Sequence, residues 1–326
     1  SELCPGGQGD TEGWSLTKPD SYTLTAGEGL KKVYLKVKSD DGEFVTVTFN
    51  TSIYLDATPP LVTLASPSDI TTINVSAYTL VGTCSESNPV DVEVGGVSLQ
   101  TSCVSGSWSV SDDLSAVPDG TVSIIVSQTD SAGNQSAPIS TSVTKDATPV
   151  VIIPSLPTEG YYINIANEGS FTISGSCTED GDVVVSGAVT DTITCTGGTY
   201  TKGYSGVSLP QGDLAIYLDM VDDSGNAADQ ITINFKKDTV APVFDLQSIT
   251  DGSYINQAAS VGFSFSGNCS EAGGSVVLTG SLSASFSCDG TSYSQAMDVS
   301  GLSDGAVTFT LSMTDVAGNS GTPITV

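Results

Sequence analysis

Nine carboxylates in this 326-residue chain recur as three sets of three: Asp56, Glu86 and Asp130; Asp146, Glu179 and Asp222; Asp238, Glu271 and Asp315. Three such groups gathered without partners repel one another. A calcium ion, which takes about six to eight oxygen ligands, would bind them and relieve the repulsion. Asn134, Asn226 and Asn319, or nearby backbone carbonyls, are placed to complete the shell. The same residues have a plainer use, because Asp and Asn side chains bond the local backbone in turns, and Asp before Thr-Pro is ordinary linker chemistry. The periodic triplet favours metal. The lack of a dense Asp-x-Asp-x-Asp-Gly loop favours the turn role, so both readings stand at this point.

Cysteine is the second chemistry. Of the seven cysteines, six fall into pairs at nearly constant separation, Cys84 with Cys103, Cys177 with Cys195 and Cys269 with Cys288, and Cys4 is left over. Pairs of one spacing in successive units predict three disulfides and an oxidising compartment. A zinc site would call for short Cys-x-x-Cys spacing, which these pairs lack. Catalysis finds less support. Histidine is absent, which removes the Ser-His-Asp and Cys-His sets, and no phosphate-cradling Gly-x-x-x-x-Gly-Lys occurs. Carboxylate pairs of the kind a glycoside hydrolase uses do exist, but each aligned Asp already has a turn or junction role, so no enzyme is expected. Trp14, Trp108, Tyr200, Tyr204 and Tyr293 have two readings, a carbohydrate-stacking platform or core packing, and the strand-like segment around Trp108 favours the core.

A repeat must position these groups. The segments Asp130-Ser-Ala-Gly133-Asn134, Asp222-Asp-Ser-Gly225-Asn226 and Asp315-Val-Ala-Gly318-Asn319 lie 92 residues (130 to 222) and 93 residues (222 to 315) apart, with a weaker copy at Asp40-Asp41-Gly42. The same period governs the junctions Asp56-Ala-Thr-Pro59, Asp146-Ala-Thr-Pro149 and Asp238-Thr-Val-Ala-Pro242. It also governs the turns Ile73-Asn74, Tyr162-Ile163-Asn164 and Tyr254-Ile255-Asn256, and the segments Gly82-Thr-Cys84-Ser-Glu86, Gly175-Ser-Cys177-Thr-Glu179 and Gly267-Asn-Cys269-Ser-Glu271.

Within a unit, apolar residues alternate, as in Val122-Ser-Ile124-Ile-Val126 and Val307-Thr-Phe309-Thr-Leu311-Ser-Met313, the period of a strand with one buried face. About seven such runs per unit, separated by turn signals, match a two-sheet sandwich. The expected fold class is all-β, with tandem immunoglobulin-like β-sandwich domains in an elongated array. The divisions fall at 1–56, a short or partial repeat, then 57–146, 147–238 and 239–326. In such a sandwich the start of the first strand, the loop between second and third strands and the last hairpin turn share one pole. Each carboxylate triplet is thereby expected at the junction with the preceding unit.

Net charge narrows the partners. Nine basic residues against 37 acidic ones leave −28, which repels phosphate backbones and anionic membranes, so no nucleic acid is expected. No run of about 18 apolar residues is present, and no membrane insertion is expected of this segment.

The ordered cadence of Lys145-Asp146-Ala-Thr-Pro149, a Tyr-Ile-Asn turn, a Gly-x-Cys-Thr/Ser-Glu segment, Asp-Gly before a long strand and a closing Asp-x-x-Gly-Asn resembles the bacterial Ig-like repeats of large surface adhesins. The likeness covers about residues 57–326 and, in part, 14–56. The cysteine pair is not universal in such repeats, and the first unit lacks it. The resemblance implies an extracellular stalk or adhesive array at the bacterial cell surface, often stiffened by calcium. The expected partners are further repeats of the same chain and a cell-surface glycan or protein ligand. The alternatives are a glycan- or protein-binding module, or an accessory spacer region of a secreted enzyme.

Overall fold

Alternation along Gly120–Gln128 shows how the sequence makes its sheets: Val122, Ile124 and Val126 are buried while Thr121, Ser123 and Ile125 point out. The computed structural model describes residues 2–3, 26–32, 34–38, 44–48 and 53–326, the segments 2–3, 34–38 and 44–48 through their backbone. Cys4, Trp14 and the Asp40-Asp41-Gly42 turn lie outside the described residues. Two units divide the chain, Ser1–Thr148 and Pro149–Val326.

In the first unit, Gly120–Gln128 lies between Ile139–Lys145 and Val90–Val94, and Val97–Thr101 forms the far edge, all antiparallel. The second sheet pairs Tyr78–Thr83 with Ser107–Asp112. One core, including Ile70, Leu80, Trp108, Leu114 and Ile124, draws on both sheets. Nearer the N-terminus, Tyr34–Lys38 pairs with Glu2–Leu3 and Phe44–Thr48, and Gly29–Lys31 pairs with Ile53–Leu55.

The second unit holds two such sandwiches. In the first of them, Phe171–Cys177 is flanked by Ile152–Leu156 and Thr199–Tyr204. The other sheet runs Tyr161–Ile163, Ile231–Lys237, Gly212–Asp219, Gly181–Gly187, Asp191–Cys195, with only its first pair parallel. In the second, Phe263–Asn268 pairs with Ser292–Met297, opposite Ala284–Asp289, Ala272–Gly280, Phe309–Thr314 and Ile324–Thr325. Each has its own core, one around Ile173, Ile216 and Phe235, the other around Phe265, Leu278 and Leu311. The architecture is all-β, a tandem of immunoglobulin-like sandwiches.

Disulfides tie the sheets of each sandwich together: Cys84–Cys103, Cys177–Cys195 and Cys269–Cys288, with Cα separations of 6.0, 6.6 and 6.1 Å. Closing a loop of this size restricts the unfolded chain by about 3 kcal/mol. Two residues before the first cysteine of each pair stands Gly82, Gly175 or Gly267. A Cβ there would come within 3.0 Å of the carbonyl oxygen of Thr63, Ile153 or Asp245. The aromatic ring facing that glycine completes the device. Trp108 Nε1 donates to Thr63 O at 3.0 Å and Tyr293 Oη donates to Asp245 O at 2.5 Å, while Tyr200 packs on Gly175. Trp108, Tyr200 and Tyr293 are buried, and half-buried Tyr204 donates to Asp191 Oδ2, so these four rings serve the sandwiches and form no exposed stacking platform.

Candidate metal centre

The closing turn of each sandwich is a self-contained device. Asp315 Oδ1 accepts the Asn319 N–H at 2.7 Å and Oδ2 accepts the Asn319 side-chain amide at 2.8 Å. The backbone closes the turn through Asp315 N to Asn319 O, and Gly318 supplies φ +92°. Asp130 with Asn134 and Asp222 with Asn226 repeat the pattern. Burial alone would push the Asp130 and Asp222 carboxyls up, but the asparagine side-chain and backbone donors outweigh it and hold both below the usual aspartate range. The turn role considered from sequence is therefore present in all three copies.

Within the second unit one whole triplet gathers. Asp238, Glu271 and Asp315 bring carboxylate oxygens within 4.8 Å of one another. Asp238 follows directly on Ile231–Lys237, and its backbone is fixed on both sides: its N–H donates to Ile163 O at 2.9 Å, and its carbonyl accepts Asn319 Nδ2 at 2.8 Å. Glu271 directly precedes Ala272–Gly280, two residues beyond the disulfide cysteine Cys269. Asp315 is the buried member, and Asp238 and Glu271 are half-buried. Burial first, then the negative charges of Asp315 and Asp238, push the Glu271 carboxyl above the usual glutamate range. Among the described residues no lysine forms an ion pair with any of the three. Hard carboxylate oxygens, with backbone carbonyls at hand, are the donor set of a calcium-class cation.

Within the second unit, Glu179 and Asp222 also bring oxygens within 4.8 Å of each other. Asp146 belongs to the first unit, where its N–H donates to Ile70 O at 2.8 Å and its Oδ1 accepts the Thr148 N–H at 3.4 Å. The first triplet behaves differently. Asp56, Glu86 and Asp130 do not come together within that distance. Asp56 is exposed, and its Oδ1 accepts the Thr58 N–H at 3.2 Å, while its carbonyl accepts Asn134 Nδ2 at 3.2 Å. The asparagines also depart from the sequence reading, which placed them in a metal shell. Asn319 uses Nδ2 on Asp315 and Asp238 and Oδ1 on the Ile165 N–H.

No family model matches the sequence, and no curated protein matches it. Solved structures do. One, from work on host cell surface retention of a 1.5-MDa bacterial ice-binding adhesin, is 23% identical, covering 83% of this chain and 97% of its own, with a TM-score of 0.34. Another, a tetra-tandem repeat in the extending region of a large adhesion protein, is 22% identical over 92% of this chain and 81% of its own, with a TM-score of 0.31. A three-domain Ig segment of titin is 9% identical over 83% of this chain and 98% of its own, with a TM-score of 0.46. The chain is similar to adhesin and Ig tandem repeats.

In these immunoglobulin-like repeats one group of residues escaped the sequence reading, the clasp on each outgoing linker. Asp119 Oδ1 accepts Lys145 Nζ at 2.5 Å and the Ala147 N–H at 3.2 Å, and its Oδ2 accepts the Thr148 hydroxyl at 2.7 Å. Gln211 holds Thr239 through its N–H and hydroxyl, and Glu28 holds Ala57 and Thr58. The signal was in plain view. A carboxylate or amide residue immediately before glycine stands at 28, 119 and 211, on the repeat period. It looked like a turn because Gly follows it.

Proposed function

We propose that this chain is a non-enzymatic stalk or adhesive segment of an exported bacterial surface protein, in which tandem Ig-like repeats divided at 57–146, 147–238 and 239–326 are stiffened by calcium. In this reading Asp238, Glu271 and Asp315 hold one ion. Glu179 and Asp222, which occupy the same register of the repeat as Glu271 and Asp315, contribute to another. Asp56, Glu86 and Asp130 hold none.

The observation that carries the reading is the gathered, lysine-free group at Asp238, Glu271 and Asp315, where burial first and then the neighbouring negative charges raise the Glu271 carboxyl. A divalent cation would turn that repulsion into coordination and fix the backbone on each side of the linker at Asp238. The three disulfides support an oxidising, extracellular location. The net charge of −28 argues against nucleic acid as a partner. Among the described residues no helix is long and apolar enough to cross a membrane. Expected partners remain further repeats of the same chain and an exposed glycan or protein.

Calorimetric titration of the chelator-treated chain with calcium, paired with small-angle scattering in calcium and in chelator, tests the proposal. Two sites and a narrower distribution of interdomain distances are expected. No heat and unchanged scattering would leave the carboxylates as turn residues and overturn the metal reading.

A further inference from the structure

The turn that follows Tyr161–Ile163 reaches beyond its own sandwich. Asn164 Oδ1 closes the turn locally, accepting the N–H groups of Ala166 at 3.0 Å and Asn167 at 3.2 Å. Its Nδ2 faces the other way and donates to Ala317 O at 2.7 Å, 153 residues along the chain. The adjacent Ile165 N–H donates to Asn319 Oδ1 at 2.8 Å. Asn319 is 2% exposed, and its own amide is spent on Asp315 Oδ2 and Asp238 O. Its orientation is therefore locked before it meets Ile165. Between Ala317 and Asn319 stands Gly318, where an added Cβ would lie 3.1 Å from Asn164 Nδ2.

We infer that Asn164 and Ile165 form a docking surface whose partner is the closing Asp-x-x-Gly-Asn turn of the following repeat, so that the two repeats are oriented by hydrogen bonds without any metal. The surface reads three features of its partner: a carbonyl at the third turn position, a residue without Cβ at the fourth and a side-chain carbonyl at the fifth. Donors and acceptors match one to one, and the pre-set turns on both sides leave few rotamers to freeze on docking. Because Asn319 also holds the Asp238 carbonyl, the clip fastens the linker as well as the two turns. This goes beyond the calcium proposal and does not rest on it.

Hydrogen exchange of the Ile165 amide, measured on the full disulfide-bonded chain in excess chelator, tests the clip. The wild-type amide is expected to be protected although it lies in a turn. Asn164→Asp keeps the local acceptor but sets a carboxylate against the Ala317 carbonyl. It is expected to speed Ile165 exchange on the order of tenfold or more, while Phe171–Cys177 and Phe309–Thr314 keep their protection. An Ile165 amide that exchanges like an open loop in the wild-type chain overturns the inference, as does a folded Asn164→Asp chain with unchanged exchange. If the variant unfolds, the wild-type measurement alone decides. Chelator keeps the result independent of whether calcium binds.

Discussion

Asp56, Glu86 and Asp130 occupy the same places in the repeat as Asp238, Glu271 and Asp315, yet the first three stay apart and the second three gather within 4.8 Å. Their closing turns cannot explain this, because Asp130 and Asp315 bind their asparagines alike. The difference lies at the linker end. Asp56 is exposed, whereas Asp238 is half-buried with its N–H held by Ile163 O, a carbonyl of the preceding sandwich. The Ile163 carbonyl thus fixes the linker beside Asp238 from the preceding sandwich. A second local difference is Gln128, which stands where the other two repeats have Met220 and Met313 and donates to the carbonyls of Glu86 and Asn88. Matching residue types at matching register nominate a site, and the neighbouring backbone decides whether it forms.

The largest expected effect comes from cutting the disulfides. Replacing Cys269 and Cys288 by alanine should cost about 2–5 kcal/mol in denaturant unfolding, and so should replacing Cys84 and Cys103. Only the first pair should also weaken calcium binding, since Cys269 anchors the segment carrying Glu271. Equal loss of calcium affinity in both variants would erase the contrast between the two regions.

Next in size is the charge of the gathered triplet. Glu271→Gln should lower calcium affinity at that site by about tenfold or more, because ligand charge sets affinity, while Glu86→Gln should leave the titration unchanged. The same variant should abolish a pH effect. The folded-state pKa of Glu271 lies above its unfolded value, so its contribution is fully present below the unfolded glutamate pKa of about 4.3 and is lost as pH rises through the raised folded value. In chelator, the sandwich containing Glu271 should therefore gain stability on mild acidification, and calcium should remove that gain. Thermal unfolding followed across this window in both variants is the measurement.

These particulars show what sequence alone could and could not give. Alternation in Gly120–Gln128 and in Val307–Met313 specified buried faces without ambiguity, and constant spacing paired six cysteines, because strand period and chain connectivity are written locally. The close approach at Gly82, Gly175 and Gly267 was not legible as such. The glycine was visible, but the opposing carbonyl lies 19 to 22 residues away in the chain, at Thr63, Ile153 and Asp245. The first carboxylate triplet was over-read for the same reason. Register gives position along a repeat and says nothing of what the preceding segment presents. The aromatic residues could be read two ways until burial decided for Trp108, Tyr200 and Tyr293.

The smallest expected effect separates the two linker clasps. Asp119 is held below the usual aspartate range first by its hydrogen bond to Lys145 and then by Thr148, and it opposes a buried lysine. Its stabilising contribution is present above the unfolded aspartate pKa of about 3.9 and is lost as pH falls through the lower folded value. The carboxylate side chain is 35% exposed, so solvent screening limits the contribution to no more than about 1 kcal/mol. Gln211 performs the same clasp on Thr239 with an amide that does not titrate. Below about pH 4 the first clasp should therefore loosen while the second holds. Exchange of the Ala147 and Thr239 amides, followed as pH falls and corrected for intrinsic rate, reads both linkers in one sample. Asp119→Asn should flatten the Ala147 response; parallel responses at the two amides in the unmodified chain would show that the carboxylate contributes no more than the amide does.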